Sequence, residues 1–459
     1  MKKLKYPGLL ENKAEGWCFL NGNVVKEEDL VNMCRETILN PCHTEEALNK
    51  SKKILLVTAA FQKGHEHHDR HLIEMFERIS IDARWEGSFP RNIQNLSVYS
   101  MFNEFKEKEK WLYQKYTEKQ DQIKAIKKDY YEKNFHYVEE IYKLVSNLQE
   151  NYKNFCLYDF YYLQENKDNP EFFAVDLSGE EKEKKLSDLS NLLRSNKSLL
   201  TCKELRDTFD HIIYKDNELF SLCRHVELYY LWKSGVQKSS FYKEQREELG
   251  KRIMSSATIF IFGGRVFVLT NRLRFYRLEK YFKDAVKKGT NLYGISAGSI
   301  CQTEKFFLTF ERYSARAHSS ASDYGMGLVH NIWIFPHAED LSYIRELHRD
   351  KLSFFTLRHR PGVAVGLTEK SVLLCEKYKD PFDGKIYRRY TSVGEEPVLV
   401  FGERGKRCDL YKHDQIILEG TKFYKGKNQI AGKEDIKQME EEYVAMVGEE
   451  KNKNSSVKV

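Results

Sequence analysis

The stretch NLYGISAGSICQTEKFF, residues 291–307, decides the fold of this chain. It begins with a β-prone run from Asn291 to Ile295, reaches a serine set among small residues, and then turns polar and helix-friendly. Gly294-Ile295-Ser296-Ala297-Gly298 fits G-x-S-x-G, the strand-to-helix elbow that lifts a serine hydroxyl above the carboxyl edge of a sheet. The glycines fall where a Cβ would collide with neighbouring backbone. A serine is a weak nucleophile at neutral pH, so the corner calls for a base within hydrogen-bond reach and for donors facing a developing oxyanion. The elbow supplies one such donor itself, the N–H of Ala297.

Working outward, the elbow sits in an α/β pattern. KKILLVTAAF (52–61) is a short apolar run bounded by polar residues, the mark of a buried parallel strand, and DRHLIEMFERI (69–79) follows at helical spacing. NLSVYSM (95–101) reads as a second strand and ATIFIFGG (257–264) as a third, ending in a glycine pair. VFVLTNRLRFYRLEKYFKDAVKKG then continues as one helix closed by Gly289. NIWIFPH (331–337), GVAVGLT (362–368), SVLLCEK (371–377) and PVLVFGE (397–403) supply further strands. The alternation predicts a doubly wound, mostly parallel sheet.

Glycine and proline divide the chain. Between Pro90 and Gly250 the only breakers are Pro170, Gly179 and Gly235, so the region from about 97 to 250 reads as mostly helical. Phe105, Leu112, Tyr116, Ile123, Ile126, Tyr130, Tyr137, Ile141, Leu144 and Leu148 recur at spacings of three, four or seven, the stripe of a long amphipathic helix in a coiled-coil-like hairpin. The expected organisation is an N-terminal extension (1–50), the first part of an α/β core (51–101), a helical insertion (102–249), the second part of the core with the elbow (250–440), and a polar tail (441–459).

Composition bounds the function. The 459 residues are 41% hydrophobic, enough for a full core and two or three domain-sized units. Charged residues make up 31% and nearly cancel at a formal +7, so nucleic-acid binding is not expected. The nine cysteines are scattered, odd in number and without a CxxC pair, which argues against a disulfide framework or a zinc ribbon and for reduced thiols in the cytoplasm. The basic start MKKLKYPGLLENKAEG has no apolar core behind it, and no run approaches the ~18 apolar residues of a membrane span.

IFIFGGRVFVLTNRL, then YGISAGS, then IWIFPH, then VAVGLTE stand in the order and spacing of the peptidase E and cyanophycinase family of serine peptidases, which the chain resembles. The resemblance is weak over 52–101 and good over 251–403; the helical insertion and the N-terminal extension have no counterpart in it. It implies a flavodoxin-like sheet related to class I glutamine amidotransferases, and hydrolysis of peptide or isopeptide bonds next to aspartate. Position by position it implies Ser296 as nucleophile and His337, of the FPH motif, as general base. Gly263 and Gly264 match the family's glycine turn, where the Gly264 and Ala297 N–H groups form the oxyanion hole. Where the family usually continues with Asn or Asp, this chain has Arg265, whose guanidinium favours a carboxylate-bearing group. The orienting acid is Glu311, fifteen residues beyond Ser296, or Asp323. Arg312, Arg316, Arg345, Arg358 and Arg360 are further candidates for a substrate carboxylate.

Other features carry less. HEHHDRH (65–71) places His67 and His71 four apart with Asp69 between, a spacing metals use, but no second cluster completes a shell and it reads as a polar helix start. Cys301 reads as core. No metal or cofactor is expected; the expected partner is a peptide or protein substrate, with the helical insertion forming a homodimer contact, docking a protein or restricting access. The alternatives are an inactive binding or signalling relative and an esterase using the same machinery.

Overall fold

Four short strands, Cys18–Asn21, Ile54–Val57, Thr258–Ile261 and Asn291–Ile295, form the middle of the molecule, and every residue in them is buried. The computed structural model describes residues 15–22, 53–60, 70–76, 93–151, 155, 187, 191, 196–308, 321–338, 358, 363–379, 386–401, 407–411, 415–419, 422–423 and 428–431. In chain order the first strands are β1 (Cys18–Asn21), β2 (Ile54–Val57) and β3 (Ile93–Asn95). The helices α1 (Val98–Lys108), α2 (Lys110–Asn151), α3 (Asn196–Lys233) and α4 (Ser240–Met254) follow. Next come β4 (Thr258–Ile261), α5 (Val266–Phe275), α6 (Glu279–Lys287), β5 (Asn291–Ile295) and α7 (Ala297–Gln302). The remainder is β: β6 (Lys305–Leu308), β7 (Ala321–Tyr324), β8 (Ile332–Pro336), β9 (Val363–Leu367), β10 (Val372–Lys379), β11 (Ile386–Ser392) and β12 (Val398–Phe401). Four short strands close it: β13 (Arg407–Tyr411), β14 (Gln415–Glu419), β15 (Lys422–Phe423) and β16 (Asn428–Ala431).

The central sheet has nine strands in the order β15-β14-β11-β10-β1-β5-β4-β2-β3. β1, β5, β4, β2 and β3 run parallel, and β10, β11, β14 and β15 extend the sheet antiparallel. Alternation along the parallel strands divides the core. Leu55, Val57, Ile259, Ile261 and Leu292 face one layer, packed by α1, α4, α5 and α6; Ile54, Leu56, Phe260, Tyr293 and Ile295 face the other, packed by Leu72, Met75 and Phe76 of the helical residues 70–76. Phe19, Tyr293 and Phe260 stack in series across three strands, at centroid distances of 4.4 and 4.6 Å.

The mixed α/β architecture with a large helical region is as expected, and four details differ. The strands at NIWIFPH, GVAVGLT and PVLVFGE leave the central sheet and form a second one, β16-β13-β12-β9-β8, with only β8 and β9 parallel. Residues 18–21, expected within a separate extension, are instead a central strand lying between β5 and β10. NLSVYSM is a strand only at its start: the Ser97 N–H donates to Asn95 Oδ1 at 2.6 Å, Ser97 takes φ 61, and α1 begins at Val98. The helix after Val266 breaks at Arg277, which takes φ 53, and resumes at Glu279; Gly289, at φ 93, then turns the chain into β5.

α2 and α3 form an antiparallel pair whose contacts run in three groups. Leu112 and Tyr116 meet Tyr230 at the base, Ile123 and Tyr130 meet Leu219, Cys223 and Val226 in the middle, and Ile141 to Leu148 meet Cys202 to Ile212 at the tip. The predicted apolar stripe is the seam of this arm from Leu112 onward; its first member, Phe105, lies on α1 beyond a break at Glu109 and packs against Tyr242 and Phe275. The arm also packs on the body: Phe220 joins a cluster with Phe307, Trp333, Phe335 and Ala338. No helix among the described residues is long and apolar enough to cross a membrane.

Candidate active site

β5 ends at Ile295 and α7 starts at Ala297, so the whole reversal falls on Ser296. Its backbone takes φ 51, ψ −113, a conformation that L residues adopt at a cost of roughly 1–3 kcal/mol and that surrounding structure must enforce. The enforcement is visible. Ser296 N–H donates to Asn21 O at 3.0 Å, and Ser299 N–H and Ile300 N–H donate back to Ser296 O at 2.9 and 3.1 Å. Asn21 is fixed in turn: Ser299 Oγ donates to its carbonyl at 2.7 Å, and its side-chain amide donates to Ser371 O at 2.9 Å. Asn21 is a residue that sequence reasoning missed, because its part depends on β1 lying beside β5 and no local pattern signals that pairing.

The small residues of the elbow answer to space. A Cβ on Gly298 would stand 1.8 Å from Ile261 O, inside the backbone of β4. A Cβ on Gly263 would stand 3.0 Å from Ser296 Cβ and 3.5 Å from Ser296 Oγ, so the glycine turn after β4 lies directly against the serine hydroxyl.

His337 stands one residue beyond β8, half-turned by its own φ of 60, and brings Nε2 to 2.9 Å from Ser296 Oγ. Two residues 41 apart in sequence, from different sheets, thus meet in a hydrogen bond of nucleophile-to-base length. Ser296 is partly exposed and His337 exposed, so the pair is open to a substrate. Ala297 opens α7, where an N–H has no intrahelical acceptor, and Gly264 lies at the turn preceding α5 with φ 126. Arg265, at the head of α5, is exposed on the same rim.

The other candidates separate. Glu311 lies outside the described residues, as do Arg312, Arg316, Arg345, Arg360, His67 and Asp69. Asp323 is buried in a different network: Lys127 of α2 donates to its Oδ2 at 2.9 Å, and Arg274 of α5 meets Oδ1 at 2.9 Å. Burial alone would raise the Asp323 carboxyl, but Arg274 and Lys127 outweigh it and hold it well below the usual carboxylate range. Arg274 also meets Glu227 of α3 at 3.2 Å, so this guanidinium ties the body to α3 directly and to α2 through the carboxylate that Lys127 shares. Arg358 is likewise engaged: its Nε and Nη2 reach the two oxygens of Asp216 on α3 at 2.5 and 2.7 Å, and Nη2 donates to Tyr130 Oη at 3.2 Å. That bidentate pair holds the arm and engages the guanidinium with Asp216 and Tyr130. Cys301 is core as expected, its Sγ at 3.2 Å from Gly298 O and its thiol pushed well up by burial. His71 is exposed, and the described residues hold no cluster suited to a metal.

No curated protein matches the chain. Among solved structures, a peptidase from an acI-B1 Actinobacterium is similar over 92% of this chain and 99% of that one, at 11% identity and a TM-score of 0.39. Residues 224–379, which hold the elbow and the histidine, match the model of peptidase family S51, the peptidase E family that the motifs resemble.

Proposed function

We infer that the chain is a serine hydrolase that cleaves peptide or isopeptide bonds near acidic residues. The observation that carries this reading is the 2.9 Å contact between Ser296 Oγ and His337 Nε2 at a strained strand-to-helix corner. In the reaction His337 takes the Ser296 proton as Oγ attacks the scissile carbonyl, giving a tetrahedral adduct whose oxyanion faces the Ala297 and Gly264 N–H groups. The imidazolium then returns the proton to the leaving amine, and a water activated by the same ring releases the acyl group. Glu311 is the acid assigned to orient the ring, since both oxygens of Asp323 are held by Lys127 and Arg274. Arg265, exposed at the rim and beyond the glycine turn, favours a carboxylate on the substrate.

The arm belongs to this reading as a wall of the site, because Phe220 packs into the cluster that holds Phe335 and Ala338 on either side of the Pro336-His337 corner. It restricts access to chains that can pass it or dock on it. Turnover of a library of aspartyl and isoaspartyl peptides by the wild type, lost in both Ser296→Ala and His337→Ala, supports the assignment. No turnover by folded wild type of any peptide, isopeptide or ester member would favour the inactive binding protein, and turnover of esters alone would favour an esterase.

A further inference from the structure

A second site stands at the other edge of the central sheet. Cys18 opens β1, pairs with Leu292 near the start of β5, and faces Cys375 on β10, whereas Ser296 follows the far end of β5. The length of β5 separates the two places by roughly 13 Å. Here a cleft of about 200 Å³ opens between α6, the turn before β8, and the β10–β11 pair, with Cys18, Cys375 and Tyr390 at its floor.

Its walls are cationic. Lys283 and Lys287 are one turn apart on the same face of α6, and Arg388 projects from β11 opposite Lys377. The acids that line the cleft are already neutralised: Glu15 accepts from Lys377 at 2.7 Å, and Glu376 accepts from Arg389 at 2.6 Å. Lys283, Lys287 and Arg388 have no carboxylate partner among the described residues. Lys283 and Lys287, exposed on α6, and the half-buried Arg388 thus line one small cleft with no carboxylate partner among the described residues, a local excess of positive charge that an anion would complete.

The surroundings are fixed in place. Tyr390 Oη donates to His330 O at 2.8 Å and accepts from His330 N–H at 3.3 Å, and the His330 ring lies 3.2 Å from Glu304 Oε2 on the far side. Gly327 takes φ 63, and a Cβ there would stand 3.2 Å from Lys283 Nζ, so the missing side chain leaves room for the ammonium. A flexible lysine pair beside a planar guanidinium is the donor set that suits phosphate oxygens, Lys as point charges and Arg as a fork.

We propose that this cleft, formed by Lys283, Lys287 and Arg388 at the edge of the sheet remote from Ser296, binds a small phosphate-bearing anion. The site is independent of the hydrolase reading. Its size admits an inorganic phosphate, a pyrophosphate or the head of a phosphomonoester.

Titration calorimetry of the full chain with inorganic phosphate, pyrophosphate and glycerol phosphate, at ionic strength held constant with chloride, tests it. Saturable binding of at least one of the three is expected for wild type and equally for Ser296→Ala, weakened at least tenfold in Arg388→Gln and in Lys283→Met. Lys280→Met removes an exposed charge from the same helix and is expected to change affinity less than twofold. No saturable binding above the chloride control, unchanged affinity in Arg388→Gln and Lys283→Met, or equal weakening in Lys280→Met would each overturn the proposal. Unchanged circular dichroism of the variants keeps a folding defect from being read as lost binding, and which anion binds most tightly separates free phosphate from a phosphomonoester.

Discussion

Lys127, in the middle of the first arm helix, donates to the Asp323 carboxylate at 2.9 Å across 196 residues of sequence, and Arg274 meets the same carboxylate at the same distance. The pair joins the arm to the β6–β7 hairpin of the body. All three groups are nearly removed from water, where an ion pair adds little net stability when whole but costs heavily when halved.

Asp323→Asn leaves Arg274 and Lys127 facing one another without the carboxylate. It should lose about 3–5 kcal/mol at pH 7. Because the folded carboxyl lies below its unfolded value of about 3.9, its contribution is present above that pH and disappears as pH falls through the folded-state pKa. Urea denaturation of wild type and variant at pH 7 and at successively lower pH should show the gap closing only on the acid side. A gap independent of pH would contradict this.

Lys119 behaves in the opposite sense. Burial among Tyr116 and Tyr230 pulls its ammonium down to about 8, and Glu227, at 3.9 Å, does not restore it. The unfolded chain then binds more protons than the folded one between about pH 8 and the free lysine value near 10.4, so stability from this group rises with pH across that window. Lys119→Met should be more stable than wild type at pH 7, by up to roughly 3 kcal/mol, and the difference should vanish near pH 10.5. Thermal melts at pH 7 and 10 measure it.

The two glycines beside the serine should part company. Gly298→Ala drives a methyl into the Ile261 carbonyl at 1.8 Å and is expected to give no soluble folded protein. Gly263→Ala meets the Ser296 side chain at 3.0 Å, contact that a small shift relieves; it should fold, with kcat reduced roughly tenfold or more because the hydroxyl moves.

Arg358 separates a structural from a substrate role. Held by Asp216 in two hydrogen bonds, it should act through arm docking. Arg358→Met should leave KM within about twofold and lower stability by about 3–5 kcal/mol, with faster proteolysis of α3. A raised KM at unchanged stability would return the guanidinium to the substrate.

The sequence disclosed what is local. The elbow is legible because its glycines and serine are adjacent, and the arm because its apolar stripe repeats along a breaker-free stretch. His337 is legible as the end of an apolar strand. What stayed hidden is set by pairing between distant segments. The four residues of β1 carry no periodicity that distinguishes a central strand from a loop, and the choice of β8 and β9 for a second sheet depends on register that no single strand encodes. The commitment of Asp323 and Arg358 to the arm was hidden for the same reason: their partners lie 196 and 142 residues away.

The central claim is that His337 activates Ser296. The direct test is the rate at which a fluorophosphonate labels wild type, Ser296→Ala and His337→Ala, with the modified peptide identified by mass spectrometry. One adduct on Ser296, absent in Ser296→Ala and formed at least about 100-fold more slowly in His337→Ala, is the predicted result. Labelling elsewhere, or at the wild-type rate in either variant, would contradict it.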